Sequence, residues 1–119
     1  MNGAVRISWG SSVRGREGKA LEVFGRSLEY FDELAKAGRI SGYQTFISVS
    51  GRPGGMLLVE GDLETLMQLQ TEAQMMALRR EAALIVEDYD IQYFGGGDDQ
   101  SLQAMVQGLT AALSRLELT

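Results

Sequence analysis

"GRPGGMLLVE", residues 51–60, is the stretch whose reading decides the fold. Its first half is a turn, because glycine reaches left-handed backbone freely and proline fixes its own φ. Its second half is a strand without a polar face. Met56 and Leu58 share one parity, Leu57 and Val59 the other, and successive side chains of a strand point to opposite sides. A strand apolar on both sides needs cover on both sides. One layer of helices supplies only half of that.

Working upstream, Ile40 to Ser50 alternates, with Tyr43, Thr45, Ile47 and Val49 on one face and Gln44, Phe46 and Ser48 on the other. Two such runs around a short glycine- and proline-containing loop predict a hairpin. Before it, Leu21, Phe24, Leu28, Phe31 and Leu34 recur at spacings of three and four, which lays one apolar stripe along a helix from about Glu17. Gly38 stands where a left-handed C-cap would end that helix. "AVRISW", residues 4–9, alternates again, with Val5, Ile7 and Trp9 opposite Arg6 and Ser8.

Downstream, Asp62 precedes Leu63, Leu66 and Met67 as an N-cap into a second helix. Thr71 and Gln74 have capping-box spacing, so the helix is expected to break and restart there. Met75, Leu78, Ala82 and Met76 supply the apolar side of the second piece. A fourth strand is predicted from about Ile85 to Phe94, with Tyr89, Ile91 and Tyr93 opposite Asp88, Asp90 and Gln92. A last helix, within residues 98–117, aligns Leu102, Met105, Leu109, Ala112 and Leu116, although Gly108 weakens its centre.

The order β-α-β-β-α-β is the split-βαβ, ferredoxin-like arrangement. Right-handed crossovers place the first and third strands in the middle of an antiparallel sheet. The expected architecture is one α+β domain spanning residues 1–119, with a ferredoxin-like core at 4–95 and an added C-terminal helix. Val5, Ile7, Trp9, Tyr43, Ile47, Val49, Tyr89, Ile91 and Tyr93 fall on the face beneath the helices; Arg6, Ser8, Gln44, Phe46, Ser48, Asp88, Asp90, Gln92 and Phe94 fall on the other. A second copy of the sheet would cover that second face, with help from the C-terminal helix.

Element order, size and the "VEDYDIQYFGGG" fourth strand resemble the dimeric α+β barrel superfamily, which includes antibiotic-biosynthesis-monooxygenase-like domains. The resemblance spans residues 4–95 and implies a homodimer with facing sheets and outer helices. It also implies a pocket in each subunit between sheet and helices. Members of known chemistry often use histidine as a base or haem ligand, and this chain of 119 residues has none.

Composition narrows the function further. The missing histidine removes the commonest general base and metal ligand. Zero cysteines exclude disulfides, thiolate nucleophiles and Cys-bound metals. A net charge of −5 disfavours nucleic acid and anionic membranes as partners. The chain shows no signal-peptide h-region and no long apolar run, so a cytoplasmic location is expected. No cofactor and no metal are expected.

Five candidate sites stand out. "FGGGDDQS" at 94–101 lacks the spacing of a dinucleotide loop, places carboxylates where phosphate would sit, and reads as a strand exit with Asp98, Asp99 or Ser101 capping the last helix. "GRPGG" reads as a hairpin loop, and Arg14, Arg16 and Lys19 as a solvated basic cluster. Arg6 shares a face with Asp88 or Asp90, as a structural ion pair rather than a catalytic carboxylate. The fifth is aromatic. Trp9, Tyr43, Tyr89 and Tyr93 gather beneath the helix carrying Phe24, Tyr30 and Phe31, with Met67 and Met76 beside them. This cluster is either plain core or an apolar pocket with Trp9, Tyr30, Tyr43, Tyr89 and Tyr93 as ligand contacts.

The expected role is a small homodimer binding an apolar or aromatic ligand. The alternatives are a cofactor-independent monooxygenase-like enzyme on a phenolic or polycyclic substrate, or a purely structural interaction domain. An open cavity beneath the helices separates the first two from the third.

Overall fold

A computed structural model describes residues 1–118. Eight elements follow in order: β1 (Asn2–Trp9), α1 (Glu17–Lys36), β2 (Gly42–Ile47), β3 (Gly55–Asp62), α2 (Leu63–Leu69), α3 (Ala73–Ile85), β4 (Asp90–Gly95) and α4 (Asp99–Arg115). The sheet is antiparallel with order β2-β3-β1-β4. This is the ferredoxin-like βαββαβ arrangement with one helix added.

Register fixes the two faces. Val5 lies between Val59 and Tyr93, and Ile7 between Leu57 and Ile91. These residues carry the covered face, and Val5, Ile7, Leu57 and Val59 are each at most 5% exposed. Tyr30, Phe31 and Leu34 of α1, Leu66 and Leu69 of α2, and Met75 and Leu78 of α3 close over them. On the opposite face, Arg6 lies between Leu58 and Gln92, and Ser8 between Met56 and Asp90. Met56 and Leu58 stay half-buried there, and Phe46 is 50% exposed.

Local chemistry sets the boundaries. Gly38, at φ +73°, turns the chain out of α1. Asp62 caps α2, its carboxylate accepting from the Thr65 amide at 3.1 Å. The helix does break at Thr71, but no capping box forms. Glu72 takes the N-cap position without a side-chain bond, and the Thr71 hydroxyl donates instead to the Gln68 carbonyl.

Four further expectations are corrected. β2 stops at Ile47, because the Ser48 amide donates to the Gly54 carbonyl and closes the hairpin loop; Val49 therefore stands 97% exposed instead of beneath the helices. β4 begins at Asp90, since α3 runs on through Ile85 and Asp88 takes a left-handed φ of +57°. Asp88 consequently leaves the open face. The stripe on α1 is rotated: Val23 and Tyr30 are buried, while Leu21 is 75% exposed. Finally, α4 packs chiefly on β4 and leaves the open face of β3 uncovered. Leu102, Met105, Val106 and Leu109 of α4 are all exposed. The Cα radius of gyration, 16.6 Å, exceeds the roughly 13.5 Å of a compact chain this long, because α4 projects.

Candidate functional site

Between the sheet and the two long helices lies a cavity of about 430 Å³. The ends of β1 and β3 form its floor with Ile7, Trp9 and Leu57. One wall is α1, with Val23, Phe24, Ser27 and Phe31. The other is α3, with Met75, Leu78, Arg79, Ala82 and Ile85. Tyr89 closes one end, and the exposed Leu21 and Ile47 stand at its rim.

Small side chains keep the space open. Ala20 and Ser27 on α1 and Ala82 on α3 face a gap that longer side chains would fill. Protein cores pack nearly as densely as organic crystals and rarely leave voids beyond a water's size. A space of this volume falls within the range of small-molecule sites, about 300–1,000 Å³. The rotation of α1 has its cause here: at its first turns the helix overhangs the cavity, so Leu21 reaches the rim rather than the core.

The aromatic wall is ordered. Trp9 and Phe24 meet edge to face at 5.6 Å between ring centroids, a geometry that favours aromatic quadrupoles. Burial pushes the Tyr89 phenol up to about 12, outweighing the opposing attraction of Arg79. The phenol is therefore a donor, not a base, at neutral pH.

The expected contacts divide. Trp9 and Tyr89 line the cavity. Tyr43 lies outside it, and its hydroxyl donates to Asp32 at 2.7 Å, a bond that raises its pKa. Tyr30 faces a smaller cleft with Arg26, Glu33 and Glu81. Tyr93 packs against the core away from the cavity. The hydroxyls of Tyr30 and Tyr93 are both buried without a partner among the described residues. Met67 is 55% exposed, and Met75 takes the place expected of Met76 in the cavity wall.

Sequence reasoning missed Arg79. The signal was present: Met75, Leu78, Arg79 and Ala82 stand at i, i+3, i+4 and i+7, one face of a helix. A charge within that apolar face is the feature to notice.

The remaining candidates are structural. Arg6 donates to Gln92 at 2.6 Å, lies 3.8 Å from Asp90, and stacks over the Phe94 ring at 5.5 Å. Gly51 and Gly54 take positive φ in the hairpin loop. Arg16 donates to the Leu84 carbonyl and Lys19 pairs with Glu22. Asp98 caps α4 by accepting from the Ser101 amide at 2.7 Å. No group of histidine, cysteine or carboxylate side chains suited to a metal occurs among the described residues.

No protein-family model and no curated protein sequence matches the chain. Solved structures do. A candidate antibiotic biosynthesis monooxygenase from Deinococcus radiodurans superposes with a TM-score of 0.63 at 11% identity, covering 82% of this chain and 94% of that one. SnoaB, a cofactor-independent oxygenase from Streptomyces nogalater, gives 0.58 at 9% identity, covering 82% and 96%. A dimeric protein of ferredoxin-like fold from Bacteroides fragilis gives 0.56 at 16% identity, covering 76% and 93%. The fold is thus the ferredoxin-like one these structures share, and at these identities the likeness concerns fold alone.

Proposed function

We propose that the protein binds a small apolar or aromatic molecule between sheet and helices, as a cytoplasmic homodimer joined through its open sheet face. The cavity carries this reading, because an aromatic wall around about 430 Å³ is space that a self-filled interaction domain would not keep. The half-buried Met56 and Leu58 on the open face support the dimer, as does the dimeric state of structural neighbours. No helix among the described residues is long and apolar enough to cross a membrane.

Binding is favoured over catalysis by the wall's own chemistry. Among the described residues its proton-bearing groups are the Tyr89 phenol, the Trp9 indole, Arg79 and the hydroxyls of Ser12 and Ser27, with no carboxylate. An oxygenase reading needs a substrate acidic enough to form its own carbanion, since the wall offers no general base.

Native mass spectrometry of the protein purified from its own host tests both parts. The expected result is a dimer mass with a small molecule retained in each subunit. An empty monomer at micromolar concentration would sink the proposal.

A further inference from the structure

The position of Arg79 allows a sharper statement, which rests on the binding role of the cavity. We infer that the ligand is an apolar, aromatic molecule bearing one negative charge, and that the Arg79 guanidinium reads that charge.

Among the described residues, Arg79 is the only charged one lining the cavity. It sits mid-helix in α3, on the same face as Met75, Leu78 and Ala82, and is half-buried. Four side-chain cations of the fold pair with carboxylates, Arg6 with Asp90, Arg26 with Glu81, Arg39 with Glu72 and Lys19 with Glu22; of those that do not, Arg79 is the one in the cavity wall. Among the described residues, Arg79 makes no ion pair and no hydrogen bond. A guanidinium carries five donors that must be satisfied by water or by an acceptor. A neutral apolar ligand would displace that water and return nothing. A carboxylate, sulfonate or enolate would return paired, charge-assisted hydrogen bonds.

The field around the cavity makes this selective. The chain carries a net charge of −5, so an anion is repelled at long range, and within the cavity lining it meets attraction from Arg79. Arg79 also lies close enough to Tyr89 to favour its ionised form. The phenol can donate a second hydrogen bond to the same anionic group.

The test compares two ligands of one shape, 4-butylbenzoate and 4-butylbenzamide, by calorimetric titration of the full chain at neutral pH. Trp9 is the sole tryptophan and lies in the cavity floor, so its emission reports whether the ligand is bound there. The carboxylate is expected to bind about tenfold more tightly than the amide, the scale of one charge-assisted contact. Arg79→Gln should erase that preference, bringing the carboxylate down to the amide's affinity in the same variant; Arg79→Lys should keep part of it. Equal affinities in the parent protein overturn the charge inference and leave the cavity's binding role standing. So does a preference that survives Arg79→Gln, which would mean the guanidinium merely reaches past the cavity to water. If neither probe binds, or binding leaves Trp9 emission unmoved, the binding role falls and this inference falls with it.

Discussion

At the scale of the residue, the four tyrosines meet three kinds of environment. Tyr43 keeps a charge-assisted bond to Asp32, Tyr89 faces the cavity, and Tyr30 and Tyr93 bury hydroxyls with no protein partner. An unpaired buried hydroxyl costs about 1–3 kcal/mol. Tyr93→Phe should therefore be neutral or stabilising by up to about 1 kcal/mol in urea unfolding, whereas Tyr43→Phe should destabilise by a similar amount. Burial raises Tyr30, Tyr89 and Tyr93 above the ordinary 10.0. Each then holds a proton when folded that it would release when unfolded. Stability is full below about pH 10 and declines as pH rises towards the Tyr89 value of about 12. A melting temperature unchanged between those limits would contradict the burial of these phenols. Ala82→Phe should fill the cavity and abolish small-molecule binding with the fold intact, as titration followed by circular dichroism would show.

At the scale of the element, α4 hangs on few contacts. Its cap is Asp98, and the buried Ser101 hydroxyl accepts from the Asn2 amide at 2.8 Å. Ser101→Ala strands that amide and should cost about 1 kcal/mol. The loss should show first as faster hydrogen exchange across Asp99–Arg115, ahead of the sheet. The start of β3 is tight in a different way. A Cβ on Gly55 would stand 2.5 Å from the Phe46 carbonyl oxygen and 2.9 Å from the Trp9 ring. Gly55→Ala should accordingly destabilise by about 1–3 kcal/mol, because backbone cannot yield as a flexible side chain does. Acid acts on helix ends. Asp62 and Asp98 lie below the ordinary 3.8, each held down mainly by a backbone amide at its cap. These caps contribute above that value and are lost as pH falls through the lower folded values.

At the scale of the whole molecule, an open sheet face and a projecting helix remain without cover in one subunit. The open face offers Met56, Leu58 and Phe46 beside the Arg6–Gln92–Asp90 cluster. If a second copy closes over it, Leu58→Lys places an unpaired charge in a desolvated interface. Light scattering after gel filtration should then report a monomer that still folds. A dimer that persists through this change would locate the interface elsewhere.

Periodicity in the chain determined the element order and the sheet's two faces, and it set Arg6 on a face with Asp88 or Asp90, of which the structure pairs Asp90. These depend on local patterns of spacing two and three to four, which a sequence displays directly. It could not decide that Ile85 continues α3, because a short apolar run suits helix and strand alike until Asp88 turns the chain. Nor could it show that Tyr30, Tyr43 and Tyr93 part from Trp9 and Tyr89. Only tertiary structure settled how far α1 stands off the sheet. That distance depends on the summed volumes of side chains such as Ala20, Ser27 and Ala82, brought together from distant parts of the chain, and it is what leaves a cavity with Arg79 in its wall.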